Sequence, residues 1–483
     1  MLNSVDFSGR PFHFIGVGGI GMSALAYILS RQQLPVSGSD LRLSHITQRL
    51  KENGVQIFWN QTAANISYAA DTAGGQLPQV VCSTAITESN DEYRAALEMG
   101  CPIFHRSDIL AALMARHQGI AVAGTHGKTT TSSMLGYLLF KAGIDPTVVI
   151  GGEVEALGGN AYVGQGEALV AEADESDGSL VKLMAKIGII TNIELDHPDH
   201  YSSLDEVVEI FETFSSNCDV TIACWDCPTV RSRLSPTLTY SLVADSGADY
   251  IATDIQQSAQ GTWATIWEHG EKLGKLQIGL LGLHNLSNAL AVVAVARQLG
   301  LEFSAIAAHL PGFGGARRRF DRRGFHNDIL FVDDYAHHPS EITVTLAAAK
   351  LQSTEALASG VARRVVAVFQ PHRYSRVASL LQEFATAFGD ADRVIVTDIY
   401  AAGEANLLGI SGQSVADTLA EHHPQVEYAA TLEAVQERLI ETLEPGDIAI
   451  FLTAGNLNRI LPDVMAAHAD LSTPPTVELL SGV

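Results

Sequence analysis

A protein of three α/β domains, each built on a mainly parallel sheet, is the fold class this sequence predicts. Three observations carry that expectation. Short β-rich apolar runs alternate with amphipathic stretches almost throughout the chain, the pattern of strands buried beneath crossover helices in doubly wound sheets. The strand–glycine loop–helix scheme occurs twice, about 100 residues apart. Finally, 483 residues at roughly 150 per domain make about three domains.

The run Phe12–Ile15 reads as the first strand. A glycine turn follows it, and Leu25, Ile28 and Leu29 then recur at helical spacing. Residues 120–123 repeat the scheme, with a glycine loop and then Met134, Leu135, Leu138 and Leu139. Strands at 168–171, 188–191 and 220–223 continue it, and 365–369, 394–397 and 448–452 read as buried strands near the carboxyl end. Two breaks divide the series. One lies at 112–119, before the second glycine-loop unit; the other is PGFGG at 311–315, followed by Arg317, Arg318, Arg319, Arg322 and Arg323. Glycine and proline at that density mark a hinge. The domains expected are therefore 1–115, 116–316 and 317–483. Residues 471–483 carry a Pro-Pro and little periodicity, and are expected to fray. No internal repeat is visible.

Composition removes several function classes. The charge sum of 30 basic against 54 acidic side chains gives −24, which disfavours a general nucleic-acid binder and requires any anion site to gather its arginines locally. Neither a secretory signal pattern at the amino terminus nor an apolar run of about 18 residues occurs, so a cytoplasmic protein that neither enters nor spans a membrane is expected. Five cysteines, an odd number, do not form a secreted disulfide framework. Cys224 and Cys227 make a CxxC without a second pair at zinc spacing and read as ordinary half-buried thiols.

The first candidate site is the GxGxxG of Gly16, Gly18, Gly19, Ile20 and Gly21, between strand and helix, with Asp40 at the end of a second strand. Such glycines let the backbone approach a diphosphate at a helix N-terminus. The ligand could be a dinucleotide or a nucleotide-sugar diphosphate, and a turn that merely packs helix on sheet is the bland alternative.

The second is Gly124, Thr125, His126, Gly127, Lys128, Thr129 and Thr130, again straight after a strand. A loop of this kind cradles phosphates with its N–H groups, Lys128 reaching the β- and γ-phosphates and Thr129 helping to hold Mg²⁺. The strict motif needs glycine where Val122 stands, so this version is shortened. Glu172, Asp174, Glu175 and Asp177 follow the strand at 168–171, and His197 follows the one at 188–191. Carboxylates at strand ends suit a hard cation bound to phosphates, or else a solvated acidic turn.

Together, GTHGKTT, EADESD, the NxxxDH of 192–197 and GLHNLSN at 282–288 resemble the ATP-dependent Mur ligases of peptidoglycan synthesis, over nearly the whole chain. GVGGIGMSALA at 16–26, DDYAHHPSEI at 333–342 and FQPHRYSR at 369–376 narrow the resemblance to members that join L-alanine to UDP-N-acetylmuramate. The resemblance implies an amino-terminal domain for the UDP group, a central ATPase and a Rossmann-like carboxyl-terminal domain for the amino acid. The first glycine loop would then hold a UDP-sugar diphosphate. Lys128 and Thr129 match phosphate and Mg²⁺ positions, and Glu172 and His197 match metal ligands. His284, Asn285 and Asn288 match an adenine-side motif, and Arg319 matches an arginine that reaches ATP from the last domain. Asp334, Tyr335, His337, Arg373 and Arg376 match positions facing the muramoyl and amino-acid end. Several relatives bridge a second cation with a carbamylated lysine soon after the histidine; here no lysine lies between Lys186 and Lys272, so that device is absent.

The implied reaction is ATP-driven amide formation through an acyl phosphate, with Lys128, Mg²⁺ and Arg319 neutralising charge on the transferring group. Either His197 or His337 could take the proton of the alanine amine. Arg373 and Arg376, three apart, would share a helix face and present two guanidinium forks to an anion. An NAD-dependent oxidoreductase would use the first loop but leave GTHGKTT idle, and a P-loop switch protein would use only the second. A murein-peptide recycling ligase is the alternative within the family. Oligomeric state, strictness for alanine and feedback control are not written in these motifs.

Overall fold

The computed structural model describes residues 4–198, 200–358 and 363–471; beyond Leu471, which closes the last helix, the stretch expected to fray lies outside them. Three sheets are present. The first is fully parallel, with strands β1 (Phe12–Ile15), β2 (Val36–Ser39), β3 (Gln56–Phe58), β4 (Gln79–Cys82) and β5 (Ile103–His105) in the order 3-2-1-4-5. The order reverses at β1, so its carboxyl end and the glycine loop after it open onto a crevice, where ligands of such sheets bind.

The second sheet contains β6 (Gln118–Ala123), β7 (Thr147–Val154), β8 (Gly159–Tyr162), β9 (Ala168–Glu172), β10 (Ala185–Ile190), β11 (Cys218–Cys224) and β12 (Leu238–Ser241). Beyond them lie β13 (Tyr250–Ser258), β14 (Gly261–Glu268) and β15 (Glu271–Ile278). Its order is 15-14-13-12-11-10-6-9-7-8, parallel from β13 through β7. The β13–β15 meander and the β7–β8 hairpin are antiparallel. The turn His269-Gly270, with φ of +48° and +82°, makes the tight hairpin that a helical crossover reading of this segment overlooks.

The third sheet has β16 (Asp321–His326), β17 (Ile329–Asp334), β18 (Val365–Gln370), β19 (Arg393–Val396), β20 (Val426–Tyr428) and β21 (Ile448–Thr453), in the order 16-17-21-18-19-20. All its pairs are parallel except β16–β17.

The expected strands all occur, with three local corrections, the smallest being that Thr397, expected to end a strand, lies just beyond β19. Residues 112–119 are not a linker: helix Arg106–Met114 runs into them and β6 begins at Gln118, so only a three-residue turn lies between. Thr191 leaves the sheet one residue early, because its hydroxyl donates to the carbonyl of His126 in the loop beside it.

Packing divides the molecule unevenly. One continuous apolar core joins the first domain to the second, running from Phe14, Leu25 and Leu29 to Val148, Leu157 and Leu290. Helix Ile20–Arg31 lies against β7 and β8 and makes the join. The third sheet is covered on its two faces by clusters of its own, around Phe369 and Phe384 and around Phe331 and Phe451.

Candidate active site

The loop after β6 is shaped by close approaches. Gly124 and Gly127 have φ of +136° and +83°, and a Cβ on the first would collide with Thr191 and on the second would sit 2.7 Å from Asn288 Oδ1. Asn192 fastens the loop, its Oδ1 accepting from His126 N–H at 2.8 Å. Lys128 opens helix Lys128–Lys141, whose first N–H groups and positive end suit phosphate. Its Nζ donates to the carbonyls of Gly124 (2.6 Å) and Thr125 (3.0 Å) and to Glu175 Oε1 (2.8 Å). Burial works against the ammonium, but Glu175 and Asp174 outweigh it and raise its pKa.

The four acids of 172–177 do not act together. Glu172 accepts from Thr129 Oγ1 at 3.0 Å and from Gly151 N–H at 2.7 Å, and its burial pushes the carboxyl up. Glu175 is 1% exposed and holds Lys128. Asp174 and Asp177 instead meet Arg106 of the first domain, at 2.7 and 3.2 Å. His197 stands in the left-handed region, φ +56°, with Nε2 3.7 Å from both Glu175 and Asp196.

A cleft of about 990 Å³ opens between the second and third domains beside this loop. His126, Gly127 and Thr130 line one side, His284, Asn285 and Asn288 another, and Arg319, Asp334 and Glu341 come from the third domain. Desolvation pushes His284 down to about 4. Asn285 Nδ2 donates to the carbonyl of Leu281 at 2.7 Å. Arg319 lies across Tyr335, its guanidinium carbon 5.2 Å from the ring centroid, and reaches within 3.5 Å of Thr129 Oγ1. Cys224 and Cys227 also line the cleft as free, buried thiols.

The residues expected at the far end gather next to it, with different tasks. Asp334 is a brace: it accepts from the N–H groups of Phe320 (2.6 Å) and Ala336 (2.7 Å), and burial pushes it up to about 6. His337 is pushed down to about 4 by burial, with Nδ1 2.8 Å from the Tyr335 carbonyl. The two arginines do not share a helix face. Arg373 is the residue before helix Tyr374–Ser379, in the left-handed region at φ +66°, and pairs with Glu404 at 3.4 Å. Arg376 lies within the helix, 2% exposed, and its Nε donates to Asp196 Oδ1 at 2.8 Å. Burial raises Asp196, but Arg376 with His197 and His337 outweighs it and holds the carboxyl far below the ordinary range.

In the first domain the glycine loop is pinned by β2. Gly16 and Val17 N–H groups donate to the Ser39 carbonyl, both at 2.9 Å, and Gly18 N–H donates to Asp40 Oδ2 at 2.8 Å. A Cβ on Gly18 would lie 2.7 Å from that same oxygen. Gly21 passes near Arg106, and Ile20 accepts at its carbonyl from Asn160 Nδ2 of β8 at 2.6 Å, so this loop abuts the second domain. Gly19 has ordinary extended geometry and precedes the helix that starts at Ile20.

Residues 11–118 match the family description "Mur ligase family, catalytic domain", 122–296 "Mur ligase middle domain" and 318–455 "Mur ligase, glutamate ligase domain". The chain belongs to the Mur ligase family. Among curated relatives, the UDP-N-acetylmuramate–L-alanine ligase of Nostoc punctiforme is 59% identical over 482 residues, covering 97% of this chain and 99% of its own. The enzyme of the same name from a Cyanothece species is 60% identical over 478 residues, 98% of each chain. The solved UDP-N-acetylmuramate–alanine ligase of Thermotoga maritima superposes with a TM-score of 0.80 at 27% identity, over 95% of this chain and 99% of that one. A murein peptide ligase from Psychrobacter arcticus shares the fold, with a TM-score of 0.70 at 24% identity over 96% and 100% of the chains.

Several residues that brace this candidate site were not singled out from sequence: Arg106, Asn192, Glu194, Asp196 and Glu341. Asn192, Glu194 and Asp196 lie within the NxxxDH segment at 192–197 and Glu341 within DDYAHHPSEI at 333–342, where the histidines carry the more obvious chemistry. Arg106 carries no motif at all, and only the contact with Asp174 and Asp177 reveals it. No helix among the described residues is long and apolar enough to cross a membrane.

Proposed function

We propose that this Mur ligase joins L-alanine to the carboxylate of UDP-N-acetylmuramate, driven by cleavage of ATP to ADP and phosphate through an acyl phosphate, in peptidoglycan precursor synthesis. The observation that carries the reading is identity of 59–60% over nearly the full length to ligases named for that reaction. The division of labour follows the three domains, 1–115 for the UDP-sugar, 116–316 for ATP and 317–483 for the amino acid. Use of ATP supports a cytoplasmic site of action.

Lys128 is parked on Glu175 and would exchange that carboxylate for the phosphates of ATP. Arg319, reaching towards Thr129 from the third domain, would add positive charge where the transferring group gains negative charge. His284, Asn285 and Asn288 would meet the nucleoside end of ATP. Thr129 Oγ1, in the first turn of helix Lys128–Lys141, and Glu172, at the end of β9, are hard oxygen donors 3.0 Å apart that would hold a Mg²⁺, with His197 as the proposed third ligand. Bound there, the ion would neutralise phosphate oxygens. Since His337 directs Nδ1 at the Tyr335 carbonyl, its Nε2 lone pair is left to accept a proton, and we assign the alanine amine's proton to it. Arg373 and Arg376 flank this end, Tyr335 beneath Arg319.

The deciding experiment is a phosphate-release assay with ATP, UDP-N-acetylmuramate and separate additions of L-alanine, glycine, L-serine and a murein tripeptide. Release should require the sugar acid and be fastest with L-alanine. Preference for the peptide would move the chain to the recycling reaction, and release without any acceptor would overturn the ligase reading.

Asp40 tests the first loop. Asp40→Ala frees the Gly18 N–H that the carboxylate now fixes; a hydrogen bond to a charged group is worth about 1.5–3 kcal/mol. The KM for UDP-N-acetylmuramate should rise roughly tenfold or more while kcat at saturation stays within about twofold. An unchanged KM would take Asp40 out of the sugar site.

A further inference from the structure

The phosphate loop and the third domain meet on one carboxylate. Glu341 stands in the first turn of helix Pro339–Ala358. Its Oε1 accepts from His126 Nδ1 at 3.2 Å and lies 3.8 Å from Arg319 Nη1. Its Oε2 accepts from the N–H groups of His337 (3.1 Å) and His338 (3.4 Å). Two cations that face the cleft from opposite domains, and the backbone of the residue assigned to the amine, therefore share a single side chain. A second bridge runs parallel to it. Glu194, of the second domain, accepts from Ser340 Oγ at 2.7 Å, with the same oxygen 3.4 Å from His126 Nε2. Burial would lower the His126 pKa, but the two glutamates outweigh it and raise it to about 10, so the ring between them is a cation at neutral pH.

We propose that Glu341 is a positioning residue of this enzyme, which closes the third domain onto the phosphate loop and holds Arg319 in register with it. The mechanism does not otherwise use Glu341, and the proposal rests on the functional reading above for its kinetic arm only. A simpler role is available: Glu341 sits at the third helical position and accepts from N–H groups just before the helix, as the acid of a capping box does. The two roles separate on one substitution. Glutamine serves a capping box as well as glutamate does, but it lacks the charge that draws His126 and Arg319 together.

The test uses the full chain as parent, Glu341→Gln and Glu341→Ala, each measured for melting temperature, for turnover, and for small-angle scattering with and without a non-hydrolysable ATP analogue. Displacing a charge-neutralising group by about an ångström costs up to roughly a hundredfold in rate. Glu341→Gln should thus lose at least about tenfold in kcat, keep the KM for UDP-N-acetylmuramate, melt below the parent but above Glu341→Ala because its capping bonds survive, and compact less with nucleotide than the parent does. Glu341→Ala should add a further fall in melting temperature. Compaction of Glu341→Gln equal to the parent's overturns the proposal, and so does kcat within about threefold of it. Should the parent itself not turn over the sugar acid and alanine, the ligase reading fails while the scattering arm still decides this one.

Discussion

Lys128→Ala should lower turnover about a thousandfold or more while UDP-N-acetylmuramate still binds. The first half follows from charge: a preorganised cation at a transferring phosphoryl group contributes several kcal/mol to the transition state, and each 1.36 kcal/mol is about tenfold in rate. The second half follows from place, because the glycine loop of β1 and its Asp40 brace belong to another sheet. The structure adds a complication that must be controlled. Removing Lys128 strands Glu175, 1% exposed, without its cation, and a buried charge left alone costs about 3–5 kcal/mol of stability. Calorimetric titration of the sugar nucleotide supplies the control, since binding at the parent's affinity certifies the fold. With that secured, turnover within tenfold of the parent would remove the loop at 124–130 from the chemistry.

The second large effect is expected at Arg376 and not at Arg373. Both lie in one motif and look equivalent as text, but their surroundings differ. Arg376 is sealed against Asp196, on the strand-end loop that also carries His197. Truncating one partner of a buried, hydrogen-bonded charge pair costs about 2–5 kcal/mol, so Arg376→Ala should cut kcat/KM by roughly thirtyfold or more. Arg373 is 31% exposed and pairs with Glu404, a setting worth ~0–1 kcal/mol; Arg373→Ala should lose much less unless substrate adds to the pair. Arg376→Lys should recover only part of the loss, since an ammonium keeps the charge without the planar fork. The acid side supplies a further check. Asp196 is held well below the ordinary carboxylate range, so the stabilisation from the pair is full above about pH 4 and is lost as pH falls below it. In Arg376→Ala, where that cation no longer offsets the burial of Asp196, the carboxyl should contribute less to acid-induced unfolding, so stability should fall less steeply below about pH 4 than in the parent. Equal, threefold-or-smaller losses at the two arginines would show that burial does not discriminate them.

What the sequence made legible is what it writes contiguously. GTHGKTT and EADESD are short runs at strand ends, and the turn chemistry of glycine makes them readable one residue at a time. The loops they form are the loops observed, with Thr129 beside Glu172. Pairings between distant segments were not readable. Asp196 and Arg376 are 180 residues apart, and His126 and Glu341 are 215 apart; neither composition nor periodicity links them, because only the closing of one domain on another brings them together. Local expectation also failed where a single backbone angle decides direction. A spacing of three implies a common helix face only if both residues are helical, and Arg373, at φ +66°, is not. The meander β13–β15 was missed for a related reason, since a two-residue turn leaves almost no signal in a segment scanned for crossovers.

The continuous core that joins the first two domains, set beside the separate cores of the third, has a consequence for how the chain comes apart. The first sheet also carries a small cluster of its own around Ile66 and Val80, but its other face interdigitates with the core of the second domain, so the two melt as one cooperative unit, whereas a domain that shares none of its clusters can unfold by itself. Scanning calorimetry of the nucleotide-free protein should therefore resolve two endotherms, not one and not three. The larger would belong to the first two domains together and the smaller to the third. ATP bound in the cleft between the second and third domains, as proposed, should draw the two endotherms towards each other by mass action. A newly made chain would meet the same partition in time: the first domain, emerging ahead of the second, completes the packing of helix Ile20–Arg31 only when β7 and β8 arrive, so that part of its core waits on residues more than a hundred positions downstream.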